Sequence, residues 1–187
     1  MKIRLSGEIT EDSIVDGPGL RAVVWTQGCR HHCPGCHNPS THDLHGGFER
    51  RIEDLIDELK SMKLTKGLTL SGGDPFEQAE SCAAIAKAVK SWGWNVWSYT
   101  GYTFESLLEG IEKERRLDWL QLLEQVDVLV DGPFLQSQKD LTLKFRGSRN
   151  QRFIDVQKSL AAKQVVLAKV GNELDDLFPV RKIGSSF

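Results

Sequence analysis

Residues 20–43 read LRAVVWTQGCRHHCPGCHNPSTHD. The first part is a β-branched and aromatic run that closes on Gly28, the pattern of a buried strand. Next comes a loop punctuated by Pro and Gly. It holds Cys29, Cys33 and Cys36, with His31, His32, His37 and His42 among and behind them and His45 just beyond. A strand that delivers three soft ligands from its C-terminal end frames the fold, because in barrels and open α/β sheets ligands sit at that end.

Outward from this stretch the chain alternates. Ile52, Leu55, Ile56 and Leu59 recur at helical spacing, and GLTLSGG (67–73) is a second strand, ending in a glycine pair. Ala79, Cys82, Ala83, Ala86 and Val89 form the apolar stripe of a second helix, and WNVWSYTGY (94–102) is a third strand. Phe104, Leu107, Leu108 and Ile111 begin a helical region that runs on through Leu120 and Leu123. VDVLVDGPF (126–134) and RFIDV (152–156) are a fourth and fifth strand, and KQVVLAKV (163–170) suits one more. Strand–helix alternation predicts parallel strands joined by right-handed crossovers. The expected fold is therefore α/β, a partial (β/α) barrel or curved open sheet of about five to six parallel strands, too few to close an eight-stranded barrel. No repeat, low-complexity tract or linker interrupts the chain, so residues 1–187 are expected to form one domain.

Composition narrows the function. Of 187 residues, 40% are hydrophobic and 27% charged, the balance of a folded globular chain. A formal net charge of −2 argues against broad electrostatic attraction to nucleic acid or to an anionic membrane. No apolar run approaches the length of a membrane span, and the first residues lack an apolar signal core, so a cytoplasmic location is expected. There, four cysteines at uneven spacing do not read as a disulfide framework. Metal binding or redox chemistry is the better reading of the cluster.

The spacing is Cys-x3-Cys-x2-Cys, and three thiolates suit an iron–sulfur cluster, zinc or copper(I). An iron–sulfur cluster held by three cysteines keeps one iron open to another ligand. A zinc site could instead join the three cysteines to one of His31, His32, His37 or His42, giving a non-catalytic interaction module. CPGC (33–36) invites a thioredoxin-like reading, but Pro39 would break the helix that normally starts at such a motif. Burial as small hydrophobes fits Cys82 on its helix stripe and fits the polar loop badly. Most of the histidines are expected to be solvated loop residues. In SGGDP (71–75) the glycine pair lets a ligand lie against bare backbone, Asp74 offers a carboxylate to an ammonium group, and Pro75 can start a helix.

Cluster loop and glycine motif, one βα unit apart, resemble the radical S-adenosylmethionine superfamily: CRHHCPGC is similar to its cluster motif and SGGDP to its Gly-Gly-Glu motif. Within it the chain resembles the activating proteins of anaerobic ribonucleoside-triphosphate reductase. The matching segments are DGPGLRAVVWTQGCRHHCPGCHNPSTHD, LTLSGGDPF, YTGYTFE and VDVLVDGPFLQSQKDLTLKFRGSRNQRFIDV, spread over residues 14–156. The last run is far more specific than the cluster motif. Residues 157–187 carry no resemblance and form a C-terminal extension. Gly35 before the last cysteine suits this subgroup, while His37 stands where a Tyr is expected.

The resemblance implies a radical-SAM-type partial barrel and a 4Fe–4S cluster on Cys29, Cys33 and Cys36, which are the catalytic and metal-binding residues. It also implies S-adenosylmethionine bound by Gly35, Cys36, His37, Gly72, Gly73 and Asp74. A side chain at Gly73 would then occupy space meant for the cofactor's methionine moiety. Reduced by one electron, the cofactor yields methionine and a 5′-deoxyadenosyl radical, which takes a hydrogen from a glycine of the reductase. The electron must come from an external donor such as flavodoxin or ferredoxin, since the chain has no room for a ferredoxin domain. Another glycyl-radical enzyme or a small molecule is the alternative substrate. Lys139, Lys144, Arg146, Arg149 and Arg152 make a locally basic segment, suited either to solvation or to docking an acidic patch on the partner.

Overall fold

The computed structural model describes residues 1–170. Its strands are β1 (Lys2–Leu5), β2 (Thr10–Ser13), β3 (Arg21–Thr26), β4 (Phe48–Arg51), β5 (Gly67–Gly72), β6 (Asn95–Tyr99), β7 (Val128–Asp131) and β8 (Arg152–Asp155). Its helices are α1 (Ile52–Ser61), α2 (Ala79–Lys90), α3 (Phe104–Lys113), α4 (Leu117–Leu123) and α5 (Val156–Ala162). All eight strands belong to one sheet, in the order β4-β1-β3-β5-β6-β7-β8, with β2 paired to β3. Among the described residues no helix is long and apolar enough to cross a membrane.

The architecture is a mixed α/β fold with a mostly parallel centre. β3, β5, β6 and β7 are parallel, in registers that include Thr26 beside Gly72 and Tyr99 beside Val130, so their C-terminal ends share one edge. Four parallel strands replace the expected five or six. β8 runs antiparallel to β7, with Val128 opposite Asp155 and Asp131 opposite Arg152. The reason is the connection: residues 132–151 hold only a 3-10 turn, Gln136–Gln138, and no crossover helix to carry the chain back to a parallel start. At the other edge β1 and β4 are antiparallel additions, Leu5 pairing with both Thr26 and Phe48. In place of the strand expected over 163–170 there is a single antiparallel bridge between Leu167 and Ile154. Of the 157–187 extension, residues 171–187 lie outside the described residues.

Alternation along the central strands separates two jobs. Ala22, Val24, Leu68, Leu70, Val96, Leu129 and Ile154 face the helices and build the main core with Leu55, Leu59, Ile85, Val89, Phe104, Leu107 and Leu122. Cys82 is fully buried in the same core. Arg21, Val23, Trp25, Thr69, Trp97 and Tyr99 alternate with the core-facing set and belong to the opposite side, where aromatic and polar groups replace aliphatic ones. The helical region expected to run from Phe104 through Leu123 is two helices. Arg115 sits between them with φ +59°, a left-handed cap that lets α4 fold back across α3.

Gly110 shows how tight that fold-back is. A Cβ there would stand 2.5 Å from Cζ3 of Trp119, whose ring is 5% exposed and wedged against Phe76 and Tyr102. In a free helix Ala is preferred to Gly by about 1 kcal/mol. Overpacking a rigid, buried ring costs about 1–3 kcal/mol, so the clash wins. Gly110→Ala is expected to lower the midpoint of chemical unfolding; a raised midpoint would show that the α3–α4 contact is loose.

Candidate active site

The chain leaving β3 is tied down before the first thiol. Gln27 N donates to Arg4 O at 3.0 Å, and Gln27 Nε2 donates to Ser40 O at 3.1 Å and to Asp43 O at 2.6 Å. Gly28 N donates to Thr41 O at 2.9 Å. The loop that carries the cysteines therefore closes on its own stem. Gln78 braces it from below, donating through Nε2 to Gln27 O at 2.9 Å and to Arg4 O at 2.7 Å.

The glycine pair after β5 is stitched to the same stem. Gly73 N donates to Thr26 O at 2.7 Å, and Asp74 N donates to Gly28 O at 2.8 Å. Gly72 has φ +102°, and a Cβ on it would lie 2.5 Å from Thr26 O. A Cβ on Gly73 would lie 2.3 Å from Gly28 O. A backbone neighbour thus requires glycine at 73 whether or not a ligand lies against it. Asp74, 1% exposed, accepts from Phe76 N, Thr100 Oγ1 and Gly101 N and meets His31 Nε2.

Between these turns opens a cavity of about 430 Å³, within the roughly 300–1,000 Å³ typical of small-molecule sites. Cys29, Cys33, Cys36, His37, Gly72, Gly73 and Asp74 all line it. Gly35 does not; its free side turns to Gln136, whose Cδ would be 3.0 Å from a Cβ there. Trp25 and Tyr99 come up from the sheet, and Phe134, Phe145, Arg146 and Gln151 close the far wall from the 132–151 loop. The His37 ring packs against Phe134 with centroids 4.9 Å apart. Tyr99 donates its hydroxyl to Phe145 O at 2.9 Å, and burial pushes that phenol well above its ordinary range. Phe145 is held at φ +57°, a left-handed conformation that a bulky residue adopts only when its surroundings enforce it.

The donor set fits a cationic cluster. Burial pushes the Cys29 thiol up to about 11; a backbone hydrogen bond from His31 works against this, and Asp74, Cys33 and Cys36 add to it. A bound metal cluster would supply the positive charge that favours the Cys29 thiolate. A cluster can offer each thiolate its own iron.

Sequence reasoning missed several neighbours. His31 is not a solvated loop residue but half-buried against Asp74 and Tyr102. The Tyr-Thr-Gly-Tyr end of the third strand was the available signal for Thr100, Gly101 and Tyr102; nothing marked Gln27, Gln78 or Phe134. His32 turns the other way, its Nδ1 3.2 Å from that of His42. Three of the five basic side chains of this segment are engaged within the chain, while Lys139 and Lys144 are exposed. Arg149 pairs with Asp140 at 2.9 Å, Arg152 bridges Asp131 and Glu105, and Arg146 donates to Gln151 O at 2.6 Å beneath the Phe153 ring.

Comparison with known proteins places this site. A family model described as a 4Fe–4S single cluster domain matches residues 15–154, which include all three loop cysteines and the 72–74 turn. The anaerobic ribonucleoside-triphosphate reductase-activating protein of Vibrio cholerae is 39% identical over 146 residues, covering 74% of this chain and 89% of that one. This chain belongs to the reductase-activating protein family. Members from Escherichia coli K12, 37% identical over 147 residues, and from enterobacteria phage T4, 35% identical over 147, cover the same 74% of it and 90% and 85% of their own lengths. The curated relatives are named for activating the anaerobic reductase, and the matched domain is described as one with a single 4Fe–4S cluster.

Proposed function

We propose that the chain activates anaerobic ribonucleoside-triphosphate reductase by placing a glycyl radical on it, using a 4Fe–4S cluster on Cys29, Cys33 and Cys36 and S-adenosylmethionine in the adjoining cavity. The observation that carries this reading is that three thiols of one loop and the 72–74 turn line the same cavity, at the C-terminal ends of parallel strands. When bound, cluster and cofactor together supply one-electron cleavage of the sulfonium to methionine and a 5′-deoxyadenosyl radical, the electron coming from an external donor of the flavodoxin or ferredoxin class.

The chain's own part is to bind, orient and shield. Cys29, Cys33 and Cys36 hold the irons. Gly72 and Gly73 bring the turn close enough for its backbone to face the cofactor, and Asp74 shapes that turn. His37, its ring tilted 49° against Phe134, is the proposed wall for the purine, with Cys36 beside it and Gly35 shaping the turn behind. The mixed sheet is read as a radical-SAM-type barrel left open on one side, wide enough for a peptide.

Through that side the glycine-bearing segment of the reductase would enter. Aliphatic side chains close in sequence to cavity-lining residues are proposed as its lips: Ile14 and Val15, 68% and 71% exposed, and Leu141, 87% exposed and two residues before Leu143. Val15 also lines the cavity, so the lip is continuous with the site. Arg146 and Arg152 are engaged internally, so these apolar side chains are proposed to carry docking beside the exposed Lys139 and Lys144. Ile14→Asp with Leu141→Asp is expected to cut radical transfer to the reductase about tenfold or more, since a desolvated charge at an interface core costs that much. Cofactor cleavage without the reductase should stay near wild type; equal loss of both would place these residues in the cofactor site instead.

The reaction is tested by reconstituting the protein with iron and sulfide under strict anaerobiosis, reducing it and adding S-adenosylmethionine. Methionine and 5′-deoxyadenosine should appear in equal amounts. A reconstituted, reduced protein that leaves the cofactor intact overturns the mechanism.

A further inference from the structure

Asp74 is engaged on every side. Oδ1 accepts from Phe76 N at 3.0 Å, Oδ2 accepts from Gly101 N at 2.9 Å, and the Thr100 hydroxyl lies 3.1 Å and 2.9 Å from the two oxygens. The remaining position on Oδ2 is taken by His31 Nε2 at 2.8 Å. An ionised carboxylate only accepts, so His31 donates, its Nε2 carrying the hydrogen. Two of these donors, Thr100 and Gly101, directly follow β6, and Phe76 lies in the 3-10 turn Pro75–Gln78 after β5. The fourth comes from the cysteine loop, between the first and second thiol.

The fold makes room for this ring. A Cβ on Gly101 would stand 2.4 Å from His31 Cδ2 and 2.6 Å from Cγ, so only glycine leaves the space. Tyr102 meets the imidazole edge to face, centroids 4.4 Å apart, and donates its hydroxyl to Glu77 Oε1 at 3.0 Å. Arg30, the preceding residue, pairs with the other Glu77 oxygen at 2.8 Å, but its side chain is 67% exposed and such a pair contributes little. The buried member is His31 with Asp74.

We infer that His31 is a positioning residue, latching the loop that carries the three thiols to Asp74 at the ends of β5 and β6, and that Asp74 serves the site through this latch rather than by receiving an ammonium group. The inference rests on the reading of Cys29, Cys33 and Cys36 as cluster ligands. Its geometric half, the latch itself, belongs to the apoprotein. An ammonium arriving at Asp74 would have to evict one of four seated donors, since a carboxylate offers about four acceptor positions.

The test compares wild type, His31→Ala, His31→Gln and Arg30→Ala. Gln is the rescue variant, because its amide nitrogen reaches where Nε2 stands and can donate to Asp74. Hydrogen exchange of amides 28–38 is measured on the apoprotein. His31→Ala is expected to speed it about tenfold or more, while His31→Gln and Arg30→Ala stay within about threefold, as a lost hydrogen bond to a buried charge opens the loop locally. Exchange in α2 and α4 should not change, which separates a loosened loop from an unfolded chain.

After reconstitution, iron release to a chelator should accelerate by the same factor in His31→Ala only. The reduced-cluster electron paramagnetic resonance signal should also broaden in that variant and return in His31→Gln. Wild-type exchange in His31→Ala, or a Gln variant as loose as the Ala one, overturns the latch. Failure of wild type to take up iron would overturn the cluster reading instead, leaving the exchange result to judge the latch alone.

Discussion

Replacing any one of Cys29, Cys33 or Cys36 by Ala is expected to strip the reconstituted protein of its 4Fe–4S absorption and paramagnetic signal and to take S-adenosylmethionine cleavage to background. All three ligands come from one short loop whose stem is fixed at Gln27, Gly28 and Thr41. No second protein sulfur can replace a lost one. Cys82, the remaining cysteine, lies on α2 with its thiol fully buried in the core, and burial holds that thiol well above its ordinary range. Cys82→Ser should therefore keep full iron and activity. It should lose about 1–3 kcal/mol of stability, the cost of burying a hydroxyl, or less where the serine bonds a carbonyl one turn back. Iron content per chain, read beside an unfolding curve, separates the two classes. A cluster lost in Cys82→Ser alone would overturn the ligand assignment.

Gly73→Val should be nearly as damaging, for a reason the sequence does not show. A glycine pair after a strand suggests bare backbone kept for a ligand, and on that view valine would expel the cofactor and spare the iron. The structure directs the new Cβ at Gly28 O, 2.3 Å away, with Gly28 C and N at 2.8 Å and 2.9 Å. Those are backbone atoms in the stem of the cysteine loop, and they cannot swing aside. Separating the two turns would also break the bonds from Gly73 N to Thr26 O and from Asp74 N to Gly28 O. The expected cost is about 3 kcal/mol or more, a fall of roughly 6–12 °C in melting temperature for a chain of this size. Iron and cofactor binding should be lost together. A variant that melts normally and binds iron but not S-adenosylmethionine would restore the ligand-space explanation.

These two cases show what the sequence made legible. The four parallel strands were readable because each is a dense apolar run that ends on small or acidic residues. The cysteine loop was readable because no bland role suits three thiols among prolines and glycines. β1, β2 and β4 were not: KIRL, TEDS and FERR are short, half-polar strands whose pairing is set by partners distant in the chain. The direction of β8 was hidden because RFIDV reads the same either way, and only the helix-free 132–151 connection decides it. The α3–α4 break turns on one left-handed residue, Arg115, inside a continuous apolar stripe. His31 was obscured by its neighbours. In a loop with four histidines, composition cannot tell which ring finds a buried carboxylate more than forty residues away.

The site divides in the same way. Which residues line the cavity could be anticipated from motifs at strand ends. Why they are those residues is a matter of distances: glycines at 72 and 73 weld two turns, and the glycine at 101 admits an imidazole.

Whether this chain makes a radical and delivers it to a protein can be read in a single mixture. The reconstituted, reduced protein is combined with S-adenosylmethionine and the anaerobic reductase of its own organism, free of oxygen, and the electron paramagnetic resonance spectrum of the reductase is recorded. A glycyl-radical doublet is expected on the reductase, dependent on both reduction and cofactor, with methionine and 5′-deoxyadenosine as products. Competent cofactor cleavage with no radical on the reductase would contradict the proposed function.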